Sequence, residues 1–152
     1  YLQLCILTYS YYSLLNIYMK DAYTNAFYGI IRETQDTHGY ELPEHLEAYI
    51  VMLLAHHTDR PNFEPSASFA EQYLQLNSRM DAKTLGDTCL FVTGVFPDYR
   101  KKQRSYYQNI GIGSYTSING ELFDQLAKHF HFLGNFISLS VRAIKFPYQP
   151  LR

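Results

Sequence analysis

At 152 residues the chain has the length of one domain, of a size that buries roughly 70% of the surface its unfolded form exposes. Hydrophobic residues at 47% against 18% charged exclude a disordered polymer, and two cysteines, Cys5 and Cys89, in no CxxC or zinc spacing argue against a disulfide framework. The formal net charge of −1 names no partner by itself, but it is unevenly spread. Residues 1–98 carry 5 Lys/Arg against 12 Asp/Glu, an excess of −7, while residues 99–152 carry 8 against 2, an excess of +6. Two halves that fold onto each other and complement would explain this, and so would an acidic or nucleic-acid partner.

Residues 1–18, YLQLCILTYSYYSLLNIY, are apolar but have no basic leader and no small-residue cleavage site, so they do not read as a signal peptide. Polar interruptions at Gln3, Ser10, Ser13 and Asn16 leave them marginal as a membrane span. The first methionine is Met19, which suggests that residues 1–18 are an extension and that the domain proper is 19–152. The other reading is a hydrophobic helix that docks on the core or on a membrane.

From Asp21 to His38 apolar residues recur at Ala22, Tyr23, Ala26, Phe27, Ile30 and Ile31, the stripe of an amphipathic helix, and Gly39 is placed to stop it. Pro43 with Glu44 and Glu47 marks the start of a second helix running to about His57. The tract TDRPNFEP is a loop, and Ser66 is placed to cap a short helix to about Leu76 with Phe69, Tyr73 and Leu74 inward. Asp81 is the expected cap of the next helix. Its positions Leu85, Cys89, Val92 and Phe96, widened by Leu90, Phe91 and Val95, make it apolar on most sides and therefore central. The run LFVTGVF is also compatible with a buried strand; length and the upstream cap favour helix. Residues 99–104 read as a basic loop and Ser105–Ile118 as a helix. Asn119 is the expected cap of one long last helix, Glu121 to about Lys145, with a seam at Leu122, Leu126, Phe130, Leu133, Ile137, Val141 and Ile144; Pro147 and Pro150 bar its continuation. The sum is an all-α domain of about five or six helices.

Chemistry-bearing patterns are sparse. His56–His57 and His129–His131 lack the three- or four-residue spacing that puts two ligands on one helical face, so no metal site is expected. The tract GIGSY is neither a nucleophile elbow nor a phosphate loop, and no cofactor motif is present. Two features remain. Asp87 lies in the most apolar helix, where a carboxylate needs hydrogen-bond donors or a cation; Tyr106, Tyr107 and Tyr115 are the candidate partners, in a structural role or around a small polar pocket. Arg100, Lys101, Lys102 and Arg104, interleaved with Tyr99, Tyr106 and Tyr107, form the main basic cluster, suited to a protein partner or to phosphates and stacked bases.

The tract GDTCLFVTGVFPDY followed by YYQNIGIGSY resembles a pattern in a family of uncharacterised helical bacterial proteins, Gly-Asp-x-x-Leu-Phe-x-x-Gly-x-Phe-Pro, then Tyr-Tyr and Gly-x-x-x-Tyr. Gly86, Asp87, Leu90, Phe91, Gly94, Phe96, Pro97, Tyr106, Tyr107, Gly111 and Tyr115 carry the likeness, and LPEHLEAYIVMLLA upstream adds to it. The resemblance implies a helical protein of the bacterial cytoplasm and no particular reaction. The expected function is non-catalytic binding of a protein partner, or homodimerisation, with the basic, tyrosine-rich segment 99–107 as the surface. Nucleic acid has weaker support, and a membrane enters only if residues 1–18 belong to the native protein. The alternative is a small-ligand sensor or enzyme with its pocket around Asp87.

Overall fold

A computed structural model describes residues 2–58, 69–76, 78–99, 101–142 and 144, with side chains in the first helix described at Leu14 and from Asp21 onward. The fold is all-α. Its helices are α1 (Leu2–His38), α2 (Glu44–Thr58), α3 (Phe69–Leu74), α4 (Arg79–Val95), α5 (Arg104–Thr116), α6 (Glu121–Lys128) and α7 (Phe130–Val141). The connector at TDRPNFEP after Thr58, the Ser66 cap, Arg100, Pro147 and Pro150 lie outside the described residues.

Helix α1 runs without a break through Met19, so residues 2–18 continue the helix of residues 21–38. It stops at Gly39, whose φ of +68° is open to glycine at little cost, and the Tyr40 amide donates back to the Gln35 carbonyl at 3.0 Å. The buried side chains described on α1 are Phe27, Ile31, Thr34 and Gln35, and the helix packs on α2 and α7.

Helix α4 is the central element and contacts α2, α3, α5 and α7. Leu85, Cys89, Leu90, Phe91 and Val92 are buried around most of its circumference, which settles LFVTGVF as helix. Its cap is Ser78, not Asp81: the Ser78 hydroxyl accepts from the Asp81 amide at 3.1 Å, so Asp81 lies in the first turn, where its charge suits the helix dipole.

Three further expectations change. In α3 Phe69 is buried and Tyr73, partly exposed, lays its ring against Gly113 of α5, but Leu74 faces outward, because the six-residue helix turns only one narrow side to α4 and α5. Asn119 does not cap α6; Gly120, at φ +143°, holds that position. The single last helix is two, since the backbone at His129 (φ −102°, ψ 16°) leaves the helical region. The break lets α6 lie against α5 and α2 while α7 lies against α4 and α1, which one straight rod could not do. The apolar seam survives it: Phe123, Leu126, Phe130, Leu133, Ile137 and Val141 are buried, with Phe123 in place of Leu122. Full burial of each such large side chain contributes roughly 1.5–3 kcal/mol.

Helices α4 and α5 are antiparallel and unusually close because glycines line their seam. A Cβ on Gly86 would stand 2.6 Å from Tyr115 Cε1, and one on Gly111 would stand 2.5 Å from Phe130 Cζ and 2.9 Å from Cys89 Cβ. Gly94 does the same for α7, against Ile137, and its carbonyl accepts from the Ser138 hydroxyl at 2.5 Å. Gly111→Ala should therefore destabilise the protein by ~1–3 kcal/mol through overpacking, although alanine is the better helix former. At Gly29, where a Cβ would meet nothing within 4 Å, the same change should stabilise by up to ~1 kcal/mol. Urea denaturation of the two variants checks the opposite signs.

Candidate functional site

Asp87 is 6% exposed and is reached from three directions. Tyr115 Oη donates to its Oδ1 at 2.6 Å from the last turn of α5, and Tyr49 Oη donates to the same oxygen at 2.5 Å from α2. Lys83 Nζ, one turn earlier on α4, donates to Oδ2 at 2.7 Å and lies 5.4 Å from the centre of the Tyr49 ring. The geometry follows from the local sequence. Gly86 leaves bare backbone on which the Tyr115 ring lies flat, and the next residue is the carboxylate that its hydroxyl reaches.

The cluster is a buried carboxylate with its donors supplied by the fold. Burial first, and then the negative charge of Asp87, push the Tyr115 phenol well above its ordinary value of 10.0. The same two causes in the same order raise Tyr49. Burial alone raises Cys89, fully enclosed in α4, so it is held as a thiol rather than the thiolate that reacts.

Of the tyrosines expected around Asp87, Tyr115 is in contact and Tyr106 and Tyr107 are not. They lie at the other end of α5, eight or nine residues and so ~12 Å or more along the helix axis from Tyr115. Tyr106 accepts at its hydroxyl from the Ala70 amide at 2.9 Å. Tyr107 is buried, edge-on to Phe69 at 5.1 Å and stacked on Tyr99 at 6.3 Å. Sequence inspection missed Tyr49 and Lys83. Lys83 had a visible signal, its i, i+4 spacing to Asp87, whereas Tyr49 lies 38 positions away and had none.

The basic segment is a separate locus. Lys101 and Lys102 are exposed on a 3₁₀ turn, Lys101–Gln103. Arg104 is half-buried: its Nη1 donates to the Pro97 carbonyl and its Nη2 to Asn135 Oδ1, each at 3.4 Å, tying the start of α5 to α7. The outer side of α7 carries His131, Asn135 and Arg142, all exposed and spaced by four and seven. The charges thus point outward and the aromatics inward. Among the described residues the expected joint surface of basic and tyrosine side chains comprises Lys101, Lys102, Arg104 and the partly exposed Tyr99 and Tyr106.

Among the described residues no group of three or more His, Cys, Asp or Glu is placed to hold a metal ion. His56 is exposed; His57 is buried, donates from Nδ1 to the Leu53 carbonyl and stacks on Phe91 at 4.7 Å. Among the same residues no helix is long and apolar enough to cross a membrane. No protein-family model matches the chain, and no curated protein or solved structure does.

Tyr115→Phe should cost ~1.5–3 kcal/mol, the range for a hydrogen bond to a charged group. Asp87→Ala should cost ~3 kcal/mol or more, since it strands a buried phenol and removes the partner of Lys83. A double-mutant cycle between Tyr115→Phe and Asp87→Asn should give a coupling energy well clear of zero; additive effects would show that the contact carries no stability.

The raised phenols also fix the sign of a pH effect. The folded state keeps protons that the unfolded chain releases above pH 10.0, so their contribution is complete below that pH and is lost as pH rises through the raised values. Stability should fall on the alkaline side, and Tyr115→Phe should flatten that fall by on the order of 1 kcal/mol per pH unit. Denaturation series from about pH 9 to about pH 11 measure the slope.

Proposed function

We propose that this chain is a non-catalytic interaction protein of the bacterial cytoplasm, which holds an acidic protein partner against the surface built by Lys101, Lys102 and Arg104. One observation supports it above the rest: Lys101 and Lys102 stand exposed, without an ion pair among the described residues, on a turn flanked by anchored side chains. Tyr99 and Tyr107 stack below it, Tyr106 binds the start of α3, and Arg104 binds α7. A surface of this kind presents its cations on an anchored backbone, so little backbone freedom is lost on binding. The two widely separated cysteines, with no disulfide framework, agree with a reducing compartment.

Charges at the edge of an interface act mainly on encounter rate and salt dependence. Lys101→Glu with Lys102→Glu should therefore abolish salt-sensitive capture of native partners while leaving the helical circular dichroism unchanged. Quantitative mass spectrometry of pull-downs from the native cytoplasm compares the variant with the wild type. Equal capture of every partner by both would overturn the assignment.

A further inference from the structure

Helix α1 is longer than the helices that pack on it. It has 37 residues and runs ~55 Å, whereas α2 and α7, its packing partners among the described residues, have 15 and 12 and run ~22 Å and ~18 Å. Both begin at its C-terminal end. Helix α2 follows the turn at Gly39, and Phe132, in the first turn of α7, meets Tyr40 edge-on at 5.4 Å. Neither is long enough to reach residues 2–19 of α1.

That half of the helix has a pattern of its own. Residues 2–19 contain no charged residue, and Leu4, Leu7, Tyr11, Leu14 and Tyr18 occupy positions that step by three and four, the heptad spacing that keeps one face of a helix apolar. By the same step the face continues through Ala22, Asn25 and Gly29, away from the side on which Phe27 and Ile31 are buried. Where its side chains are described the face is open: Leu14 is 64% exposed, Ala22 and Asn25 are exposed, and a Cβ on Gly29 would meet nothing within 4 Å. A helix draws most of its stability in water from packing an apolar face, so this one calls for a partner.

We infer that the chain dimerises through α1, the face at positions 4, 7, 11 and 14 packed antiparallel on the same face of a second copy. The spacing selects the occupant. Its steps of three, four and three read alike from either end, so an antiparallel pair centred between Leu7 and Tyr11 sets position 4 opposite 14 and position 7 opposite 11 in each layer. A two-fold interface requires that self-complementarity. With no charge beside the seam, nothing on the helix repels an identical copy or selects a charged partner. The antiparallel sense also sets each helix dipole against the other and sends helices α2 to α7 of the two copies to opposite ends. A membrane surface is the poorer fit, because a helix lying in the interface carries Lys or Arg on its polar side and residues 2–19 have neither.

Sedimentation velocity of the full chain tests the inference. The weight-average mass should rise with concentration toward twice 17.8 kDa and should hold in about 1 M salt, because the seam carries no charge to screen. Leu7→Lys/Leu14→Lys sets a cation in every layer and should be monomeric with its helical circular dichroism retained. Lys101→Glu/Lys102→Glu should dimerise like the wild type, which keeps this interface distinct from the basic surface. In a Cys5→Ser background, oxidised chains carrying Leu7→Cys should cross-link to chains carrying Tyr11→Cys, and neither should cross-link alone. A wild type that stays monomeric, whether or not it binds vesicles of phosphatidylcholine and phosphatidylglycerol, overturns the inference. So does a dimer that survives Leu7→Lys/Leu14→Lys, or one in which each cysteine variant cross-links only to itself.

Discussion

Asp87 lies where α2, α4 and α5 converge, and a carboxylate withdrawn from water to that extent is costly unless donors replace the solvent. Tyr49, Tyr115 and Lys83 replace it, and each comes with a constraint on the fold. Tyr115 reaches the carboxylate only if α5 lies flat on α4. Tyr49 reaches it only if α2 lies alongside α4. The carboxylate therefore ties three helices together at one point.

The glycines make that arrangement sterically possible. With side chains at positions 86 and 111, α5 would have to stand off from α4, and the Tyr115 hydroxyl would no longer meet Oδ1. The dependence runs both ways. Close approach costs backbone freedom at each helical glycine, about 1 kcal/mol relative to alanine, and the gain that offsets it is the contact of Tyr115, Phe130 and Cys89 across the seam. Gly86, Asp87, Gly111 and Tyr115 thus belong to one packing device.

Much of this was legible in the chain. The helical period placed α1, α2, α4 and α5 and made α4 central, because apolar residues around most of a helix leave it no solvent face. The oddity of an acid in that helix pointed to Asp87, and Tyr115 was among its foreseen partners. What was not legible depended on the third dimension. Asn119 and Asp81 are good caps by residue type, yet capping turns on backbone angles that Gly120 and Ser78 adopt instead. The seam from Leu122 to Ile144 runs in steps of three and four through His129, so periodicity alone could not reveal a break that exists to serve two packing partners. Tyr106 and Tyr107 share composition with Tyr115, but their position one end of α5 away commits them to α3 and Tyr99. In the basic segment the same logic divides neighbours: Tyr107 is buried, while Lys101 and Lys102 are exposed.

That division explains why charge remains at the surface. The interior is filled by aromatic and aliphatic side chains from both halves of the chain, and its buried acid is satisfied by its own helix and two phenols. A net charge close to zero could have been reached by mixing signs on every helix, as most solvated surfaces do. Here the sum is near zero while the parts are not, and the ion pairs among the described residues, Arg32–Glu47 and Lys83–Asp87, both lie within residues 1–98. Unmixed charge of both signs on one small body gives it a surface field that salt screens, so the pattern belongs to the surface and not to the core.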